Sequence, residues 1–410
     1  MLPALLVFSL LAAQPAERVV GIRVQGNTLT PEADIVAMAA VPADAVVTPT
    51  LLDEVAARVT RGGRFERVEV LKRYASIADA SQVLLVIVVD EGAIVVRPMR
   101  DGEAARAERR RGPPLMFLPL LGSDEGYGFT YGALVSMPNV VGPRTRISVP
   151  LTWGGERRAG VEVEKRAAGT RFARVRVGGA LLQRENRALG ATDTRQQAWL
   201  RGERELARAV RVGAWAGIDH VSFASDDNLV VRTGVDAAFD TRVDPMLSRN
   251  AVYVRAAVER LDVRHGAAPL RTLLDASGYV GAIGPSTLVV RVYRDGANEP
   301  VPDYLKVLRG RDTTLRGFRA GTDAGDTTAA GSLELRVPVT SPLSLGKLGV
   351  RAFVDAATVY DAGERLRKQH FERGIGGGVW FTATILRLAF DVAHGSNGGT
   401  RAQLSSGLAF

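Results

Sequence analysis

Residues 386–392 read Leu-Arg-Leu-Ala-Phe-Asp-Val, and apolar and polar side chains alternate along them with a period of two. Successive side chains of a β-strand point to opposite faces, so the leucines, the phenylalanine and the valine share one face. Arg387, Ala389 and Asp391 share the other. The stretch therefore predicts a β-strand with one apolar and one polar side.

The same alternation recurs about every 12 to 18 residues from residue 126 to the end of the chain, in roughly sixteen segments. It is clear at 147–153, 231–240 and 333–337, where large apolar residues oppose small polar or charged ones. In a soluble sandwich the apolar face is the core, whereas in a membrane barrel it meets lipid and the polar face lines the lumen. Alternation alone leaves both folds open.

Three further features favour the membrane barrel. Residues 1–16 read as a secretory signal peptide, although no basic residue precedes their apolar run. The number of segments is even, and the last segment, 402–410, places Phe410 on its apolar face. We therefore expect a mostly β protein: a 16-stranded antiparallel transmembrane β-barrel over residues 126–410, with a small N-terminal α+β periplasmic domain.

The composition sets broad limits on function. The chain has 410 residues, a net charge of +9, a pI of about 10.1 and no cysteine, so no disulfide framework supports it. A basic balance suits nucleic acid, an anionic membrane surface or the lining of a polar cavity equally well. Charge alone therefore identifies no partner.

Residues 18–92 predict a β-α-α-β-β module. Strands are expected at 18–24, 64–70 and 81–90, and the first helix is expected to begin at Thr30 as N-cap. Thr48 or Thr50 is expected to cap the second helix, which ends at Gly62. The module resembles the polypeptide-transport-associated (POTRA) domain through three stretches: Gly-Asn at 26–27, Gly-x-Phe-x-x-Val-x-Val at 63–70, and Asp-Glu-Gly at 90–92. Residues 93–125, basic and Pro-containing, are interpreted as a linker.

A long connection after about the eleventh barrel strand carries Leu-Arg-Gly-Phe at 315–318. The connection runs from residue 308 to about residue 330. Connections of this length without regular structure are usually functional or disordered, and an Arg-Gly-aromatic core is not typical of disorder. A second stretch, Val350–Tyr360, alternates so that Asp355 lies on its polar face, which is the lumenal face of a barrel. A glycine-rich run, 374–378, follows.

These motifs, in this order, resemble the C-terminal half of the bacterial surface-antigen superfamily of outer-membrane assembly and translocation barrels, of the BamA, TamA and two-partner-secretion type. The resemblance implies that the loop of Arg316, Gly317 and Phe318 enters the barrel and that Arg316 pairs with Asp355. The sequence departs from the family pattern in two features. Ala357 replaces the glycine of its Phe-x-Asp-x-Gly pattern, and a single POTRA-like module is present.

The resemblance implies an outer-membrane protein that inserts or translocates polypeptides, with its first and last barrel strands meeting at a weak seam. Glycine weakens strand interiors, so the seam is predicted from the following residues. They are Gly126, Gly128 and Gly132 in the first strand, and Gly407 and Phe410 in the last.

No catalytic residue, cofactor or metal site is predicted, and no nucleic-acid partner. The expected partners are outer-membrane lipid, unfolded outer-membrane or secreted polypeptides, and periplasmic or lipoprotein subunits. Two alternatives remain: a secretion or passive pore of the same fold, and an outer-membrane hydrolase. A Gly-x-Ser-x-Gly motif is absent and the four histidines are scattered, which disfavours the hydrolase.

Overall fold

The fold is known from a computed structural model. It describes residues 16–27, 29–65, 67–75, 79, 81–91, 94–97, 106–109, 115–124, 127–142, 144–166, 173–186, 189–207, 209–242, 247–264, 266–310, 314–319, 321, 323–340, 346–383 and 386–408. The predicted signal peptide, apart from residue 16, lies outside these ranges, as do Gly126 and Phe410. The chain forms two compact units. One comprises residues up to Leu115 with 241–250 and 280–287, and the other comprises 116–240, 251–279 and 288–410.

The N-terminal domain is the small α+β fold that the sequence predicts. Its elements are β1 (Arg18–Gln25), α1 (Glu32–Ala39), α2 (Pro49–Arg61), β2 (Arg67–Tyr74) and β3 (Gln82–Asp90). The sheet order is β1-β3-β2, with β1 parallel and β2 antiparallel to β3. Both helices pack on this sheet through a core whose fully buried members include Ile35, Val55, Val59 and Ile87.

One of the two predicted helix caps is confirmed. The Thr48 hydroxyl accepts a hydrogen bond from the Leu51 amide at 3.0 Å, and so caps α2. Thr30 does not cap α1, which begins at Glu32 after Pro31. The amide of Thr30 instead donates to the buried carboxylate of Glu91 at 2.8 Å, so this segment is held by the residue that follows β3.

The region interpreted as a linker is partly regular structure, and that interpretation was wrong. A short hairpin pairs β4 (Ile94–Arg97) with β5 (Arg106–Arg109). The first barrel strand, β6 (Met116–Asp124), also lies in this region, so the barrel begins before residue 126.

The second unit is a single 16-stranded, nearly closed antiparallel barrel, as predicted. The strands after β6 follow one another around the sheet in chain order. They are β7 (Gly128–Pro138), β8 (Thr145–Gly154), β9 (Glu156–Arg166), β10 (Ala173–Asn186), β11 (Ala191–Ala207), β12 (Val210–Phe223), β13 (Asp226–Asp240), β14 (Ala251–Val263), β15 (Leu270–Gly281), β16 (Thr287–Ala297), β19 (Thr327–Thr340), β20 (Gly346–Tyr360), β21 (Glu372–Ala383), β22 (Leu386–Gly395) and β23 (Thr400–Leu408). Between β16 and β19, the two-residue strands β17 (Val307–Leu308) and β18 (Ala324–Gly325) pair with each other.

Gly128 and Gly132 do not lie in the first barrel strand, which corrects the predicted seam. They belong to β7, the second strand, which is paired on both sides. Strand β6 was not predicted from the alternation of apolar and polar residues, because Phe117 and Leu118, which face opposite ways, are both apolar. Pro119 lies in its middle, and an edge strand tolerates proline because one of its sides needs no donor.

The order of the sheet ends at β6 and β23, and these two strands form the seam of the barrel. The Ser406 hydroxyl on β23 donates to the Leu121 carbonyl on β6 at 3.0 Å. The backbone of Leu121 therefore faces the seam. Because backbone groups of alternate residues point to the same side of a strand, the nitrogen of Pro119 faces the seam as well and offers no N–H there.

The polarity of the barrel is inverted relative to a soluble protein. Val235 is 59% exposed and its neighbour on β13, Asp236, faces the interior with a side chain only 7% exposed. The same holds for β20, where Val350 and Val354 are exposed while Arg351 and Asp355 are buried. An apolar outer surface around a charged interior is the pattern of a barrel that faces lipid. Among the described residues, no helix is long and apolar enough to cross a membrane.

Candidate functional site

Residues 298–326 connect β16, which is the eleventh barrel strand, to β19. Their described parts contain a single 3₁₀ turn at Asp303–Leu305 and the β17–β18 pair. The segment from Leu315 to Phe318 is buried, although it belongs to a loop. This is the segment that the sequence predicts to enter the barrel.

Arg316 lies against Asp355, the residue that the resemblance predicts as its partner. Its Nε and Nη2 donate to the two carboxylate oxygens of Asp355 at 2.7 and 2.8 Å, and its backbone amide donates to the same group at 3.1 Å. Both residues are buried, at 6% and 2% exposure. A paired fork of this kind, with both charges desolvated, fixes the loop in one orientation.

The pair belongs to a larger ionic cluster that sequence reasoning did not assemble. The Nη1 of Arg316 donates to Glu334 at 2.7 Å and lies 3.7 Å from Asp391. Arg351 binds Asp391 through both Nε and Nη2, and lies 3.7 Å from Glu334. We call Arg316, Glu334, Arg351, Asp355 and Asp391 the lumenal cluster. Its three carboxylates surround two guanidinium groups, so each buried arginine is neutralised from more than one side.

An aromatic ring also contacts the guanidinium of Arg316. The guanidinium carbon lies 3.3 Å from the ring centroid of Phe353, which precedes Asp355 by two residues and shares its lumenal face. A guanidinium stacks on an aromatic face while it hydrogen-bonds in its own plane. Lysine has no planar group that could make both contacts.

Two glycines allow the loop backbone to approach the barrel wall. Gly317 has a φ of 91°, which disfavours other residues, and a Cβ there would lie 3.1 Å from the Gly395 nitrogen on β22. On the wall itself, a Cβ at Gly374 would collide with the Arg316 carbonyl oxygen. The first glycine of the 374–378 run therefore lets the loop backbone contact the barrel wall directly.

Phe318 anchors the loop through apolar contact. It is 1% exposed and packs with Leu315, Ala330 and Ala357. The methyl group of Ala357, at the position where the family pattern has glycine, is thus accommodated in this small apolar core. The carbonyl of Phe318 lies 3.5 Å from the amide nitrogen of Gln403, on the last strand β23. The loop tip thus reaches from β19 to β23.

Strand register brings together the members of the lumenal cluster that were not predicted from the sequence. Arg351, Gly378 and Asp391 form one row across β20, β21 and β22. A Cβ at Gly378 would collide with the Asp391 carboxylate, so the glycine leaves the space through which Arg351 reaches its partner. The alternation placed Glu334 and Asp391 on polar faces, but register between strands is not readable from one sequence.

The first half of the loop has an anchor of its own on the opposite wall. Tyr304 and Leu305 pack with Phe223, Val230 and other residues at the ends of β12, β13, β14 and β16. The Nη2 of Arg195 donates to the Tyr304 carbonyl at 2.7 Å while its Nε binds Asp193. The loop is therefore attached to two separate parts of the barrel interior, one through Tyr304 and one through Arg316.

No other arrangement of side chains in the described part of the chain suggests a reactive centre. Groups of three or more potential metal ligands are not found among the described residues. His220 contacts Asp227 at 2.6 Å on an exposed surface, and His394 contacts the Thr400 hydroxyl at 2.9 Å. Both contacts are exposed, and neither lies in a cavity of the described residues. His265 lies outside the described residues.

Structural comparisons place the fold among known barrels at low sequence identity. The structure of BamA from Haemophilus ducreyi lacking POTRA domains 1–3 matches with a TM-score of 0.60 and 14% identity, over 96% of this chain and 85% of that one. CdiB from Escherichia coli matches with a TM-score of 0.53 and 13% identity, over 97% and 91% of the two chains. CdiB from Acinetobacter baumannii matches with a TM-score of 0.50 and 12% identity, over 96% and 74%.

Sequence comparison gives the family. A search of curated proteins finds no match. Residues 124–410, which include fifteen of the sixteen barrel strands and the whole of the loop described above, match the Omp85 superfamily domain. The chain therefore belongs to the Omp85 superfamily.

Proposed function

We propose that the protein is an outer-membrane factor that inserts or translocates polypeptides through the seam between β6 and β23. The observation that carries the proposal is the sheet order, which ends at these two strands instead of closing into a full ladder. An incoming strand can pair with an exposed strand edge through backbone hydrogen bonds, without sequence preference. The process needs no cofactor, because folding of the client supplies the free energy.

The N-terminal domain suits the capture of an extended client. In its sheet, β1 and β2 are the edge strands. The start of β1 is occupied, since the Val19 amide donates to the Ala45 carbonyl at 2.9 Å and the Val47 amide to the Glu17 carbonyl at 2.8 Å. We therefore assign client binding to β2, by strand addition of the kind expected for a POTRA-like module.

The barrel interior supports an assembly role over that of an open pore. The loop 298–326 is attached at both Tyr304 and Arg316, so opening the lumen would require breaking both attachments. A seam, in contrast, opens without disturbing the lumenal cluster. In this proposal the N-terminal domain is periplasmic and the barrel lies in the outer membrane. Unfolded outer-membrane or secreted polypeptides are its clients, and periplasmic or lipoprotein subunits assist it.

The test is to lock the seam. The chain has no cysteine, and Leu121 and Ser406 are already in contact across the seam, so the variant with cysteine at both positions can be crosslinked cleanly. In proteoliposomes, the oxidised variant is expected to lose insertion of an unfolded barrel protein, and dithiothreitol should restore it.

A matched control crosslinks two strands that are already paired. Val379 and Phe390 are direct partners on the outer faces of β21 and β22, and cysteines there should leave insertion unchanged when oxidised. Full insertion by the seam-locked protein, with the crosslink verified, would contradict the proposal. Ion conductance through that locked protein would instead favour a secretion or passive pore.

A further inference from the structure

The barrel interior contains a cavity rich in arginine that is separate from the lumenal cluster. It measures about 440 Å³ and is lined by side chains of β10 to β14. Five arginines face it: Arg174, Arg176, Arg201, Arg211 and Arg255. They lie near the strand ends found at the same end of the barrel as the start of β6 and the end of β23. We call this site the arginine cavity.

Only two carboxylates line the arginine cavity, and both are shared. Glu203 accepts hydrogen bonds from Arg201 at 2.8 Å and Arg176 at 2.9 Å, and lies 3.6 Å from Arg174. Asp236 binds Arg201 at 2.8 Å and is also bound by Arg255. Four guanidinium groups of the cavity thus share the negative charge of its two carboxylates.

The carboxylate next to Arg174 outside the cavity lining is shared as well. Arg174 also lies 3.6 Å from Glu164, but Glu164 already binds Arg166 at 2.8 Å and Arg146 at 3.2 Å. This carboxylate is therefore shared in the same way.

Two donors of the cavity remain unused. Within the described residues, Arg211 forms no ion pair within 4 Å, although Glu205 lies opposite it on β11, and the buried Nε of Arg176 has no hydrogen-bond acceptor. A buried donor without an acceptor is costly, and folded proteins rarely leave one unless an ion, a water or a ligand completes it. The five arginines exceed the two lining carboxylates by three positive charges. The arginine cavity therefore has both the charge and the open donors of an anion site.

We propose that the arginine cavity binds a soluble phosphate-bearing anion of at least two negative charges. Guanidinium forks match the oxygens of phosphate in pairs, and the cavity has the volume of a small-molecule site. Its lining side chains lie on the lumenal faces of β10 to β14, which favours a soluble phosphate compound over the headgroup of a membrane lipid. The site does not depend on the proposed assembly function.

The experiment is calorimetric titration of the full-length protein in detergent micelles with inorganic pyrophosphate, and separately with orthophosphate. Pyrophosphate is expected to bind one site per chain, more tightly than orthophosphate and more weakly as sodium chloride is raised. Arg211→Gln and Arg176→Gln should each weaken binding by about tenfold or more, because each removes a charged donor from the site.

Arg260→Gln is the matched control, since Arg260 is exposed on β14 outside the cavity and pairs there with Asp262 at 2.9 Å. Retention of the folded barrel in each variant is checked by its heat-dependent mobility on gels. Absence of pyrophosphate binding to the unchanged protein would overturn the proposal. An equal loss in Arg260→Gln would also overturn it.

Discussion

Arg316 shows how the barrel interior handles a buried charge. Its guanidinium is surrounded by Asp355 at 2.7 Å, Glu334 at 2.7 Å and the ring of Phe353 at 3.3 Å, so little of its donor capacity is left to water. Removing one member of such a group leaves the others charged and unpaired. The destabilisation caused by a single substitution therefore comes mostly from the partners that remain.

A double-mutant cycle tests this coupling. Arg316→Ala and Asp355→Ala should each lower the free energy of unfolding by about 3–5 kcal/mol and loosen the loop, because each leaves a buried charge without its partner. The double variant should be little worse than either single variant. Arg316→Lys should rescue only in part. Unfolding in denaturant and protease sensitivity of the loop provide the two measurements.

The control for this cycle is Arg260→Ala, which breaks an exposed pair with Asp262 and should cost less than about 1 kcal/mol. Strictly additive losses in the Arg316–Asp355 cycle would mean that the two residues act independently. The pairing would then no longer explain how the loop is held.

Gly374 provides a test that changes no charge. Gly374→Ala places a methyl group against the Arg316 carbonyl, and should destabilise the docked loop by about 1–3 kcal/mol. Gly278→Ala is the control, because a Cβ there meets nothing within 4 Å and Gly278 also lies within a strand. Hydrogen exchange of residues 315–319 would measure both. Equal exchange in the two variants would contradict the close approach of loop and wall.

At this scale the sequence predicted the central pair but not its surroundings. The alternation around Asp355 gave its lumenal face, and the motif resemblance gave Arg316 as its partner. Glu334 and Asp391 were visible only as polar positions of two strands. Their convergence on one guanidinium depends on register and on the space left by Gly378, and neither is encoded in a local pattern.

At the scale of elements, the clearest strands were predicted and the seam strand was not. Strand β22 alternates cleanly, and the structure places Phe390 outside and Asp391 inside. In β6, Leu118 and Leu120 make the lumenal side apolar too, so no alternation exists to be read. A strand at the seam has neighbours unlike those of the others, and the two-sided pattern that identifies a wall strand fails there.

The two attachments of the loop can be separated experimentally. Arg195→Gln removes the charged hydrogen bond to the Tyr304 carbonyl, worth about 1.5–3 kcal/mol, and Asp193 retains Arg184 as a partner at 3.0 Å. Hydrogen exchange should then rise at 301–305 while 315–319 stays protected. The opposite pattern is expected in Arg316→Ala. Simultaneous release of both segments by either change would show that the loop moves as one body.

At the scale of the whole molecule, the inverted polarity requires lipid around the barrel and water at its ends. If the predicted signal peptide exports the N-terminus, the even number of strands places the N-terminal domain and both barrel ends on the periplasmic side. The loop 298–326, after the eleventh strand, is predicted to be on the opposite side or in the lumen.

Labelling of single cysteines tests this topology. Position 44 lies in the N-terminal domain and position 323 in the loop, and Asp44→Cys and Asp323→Cys each introduce the only thiol of the chain. In intact cells a membrane-impermeant maleimide should reach the cysteine at 323 and not the one at 44. Lysed cells, in which both positions should react, provide the control. Labelling of position 44 from outside would overturn the predicted orientation.

Pro119 has a consequence for the kinetics of the seam. Its nitrogen faces the seam without a hydrogen, so any strand that lies against β6 has one carbonyl with no donor opposite it, whether that strand is β23 or a client. The missing bond is therefore common to both pairings and cancels when one strand replaces the other. It should lower the barrier to exchange without favouring either partner. In Pro119→Ala we accordingly expect slower insertion of clients, with an unchanged yield once equilibrium is reached.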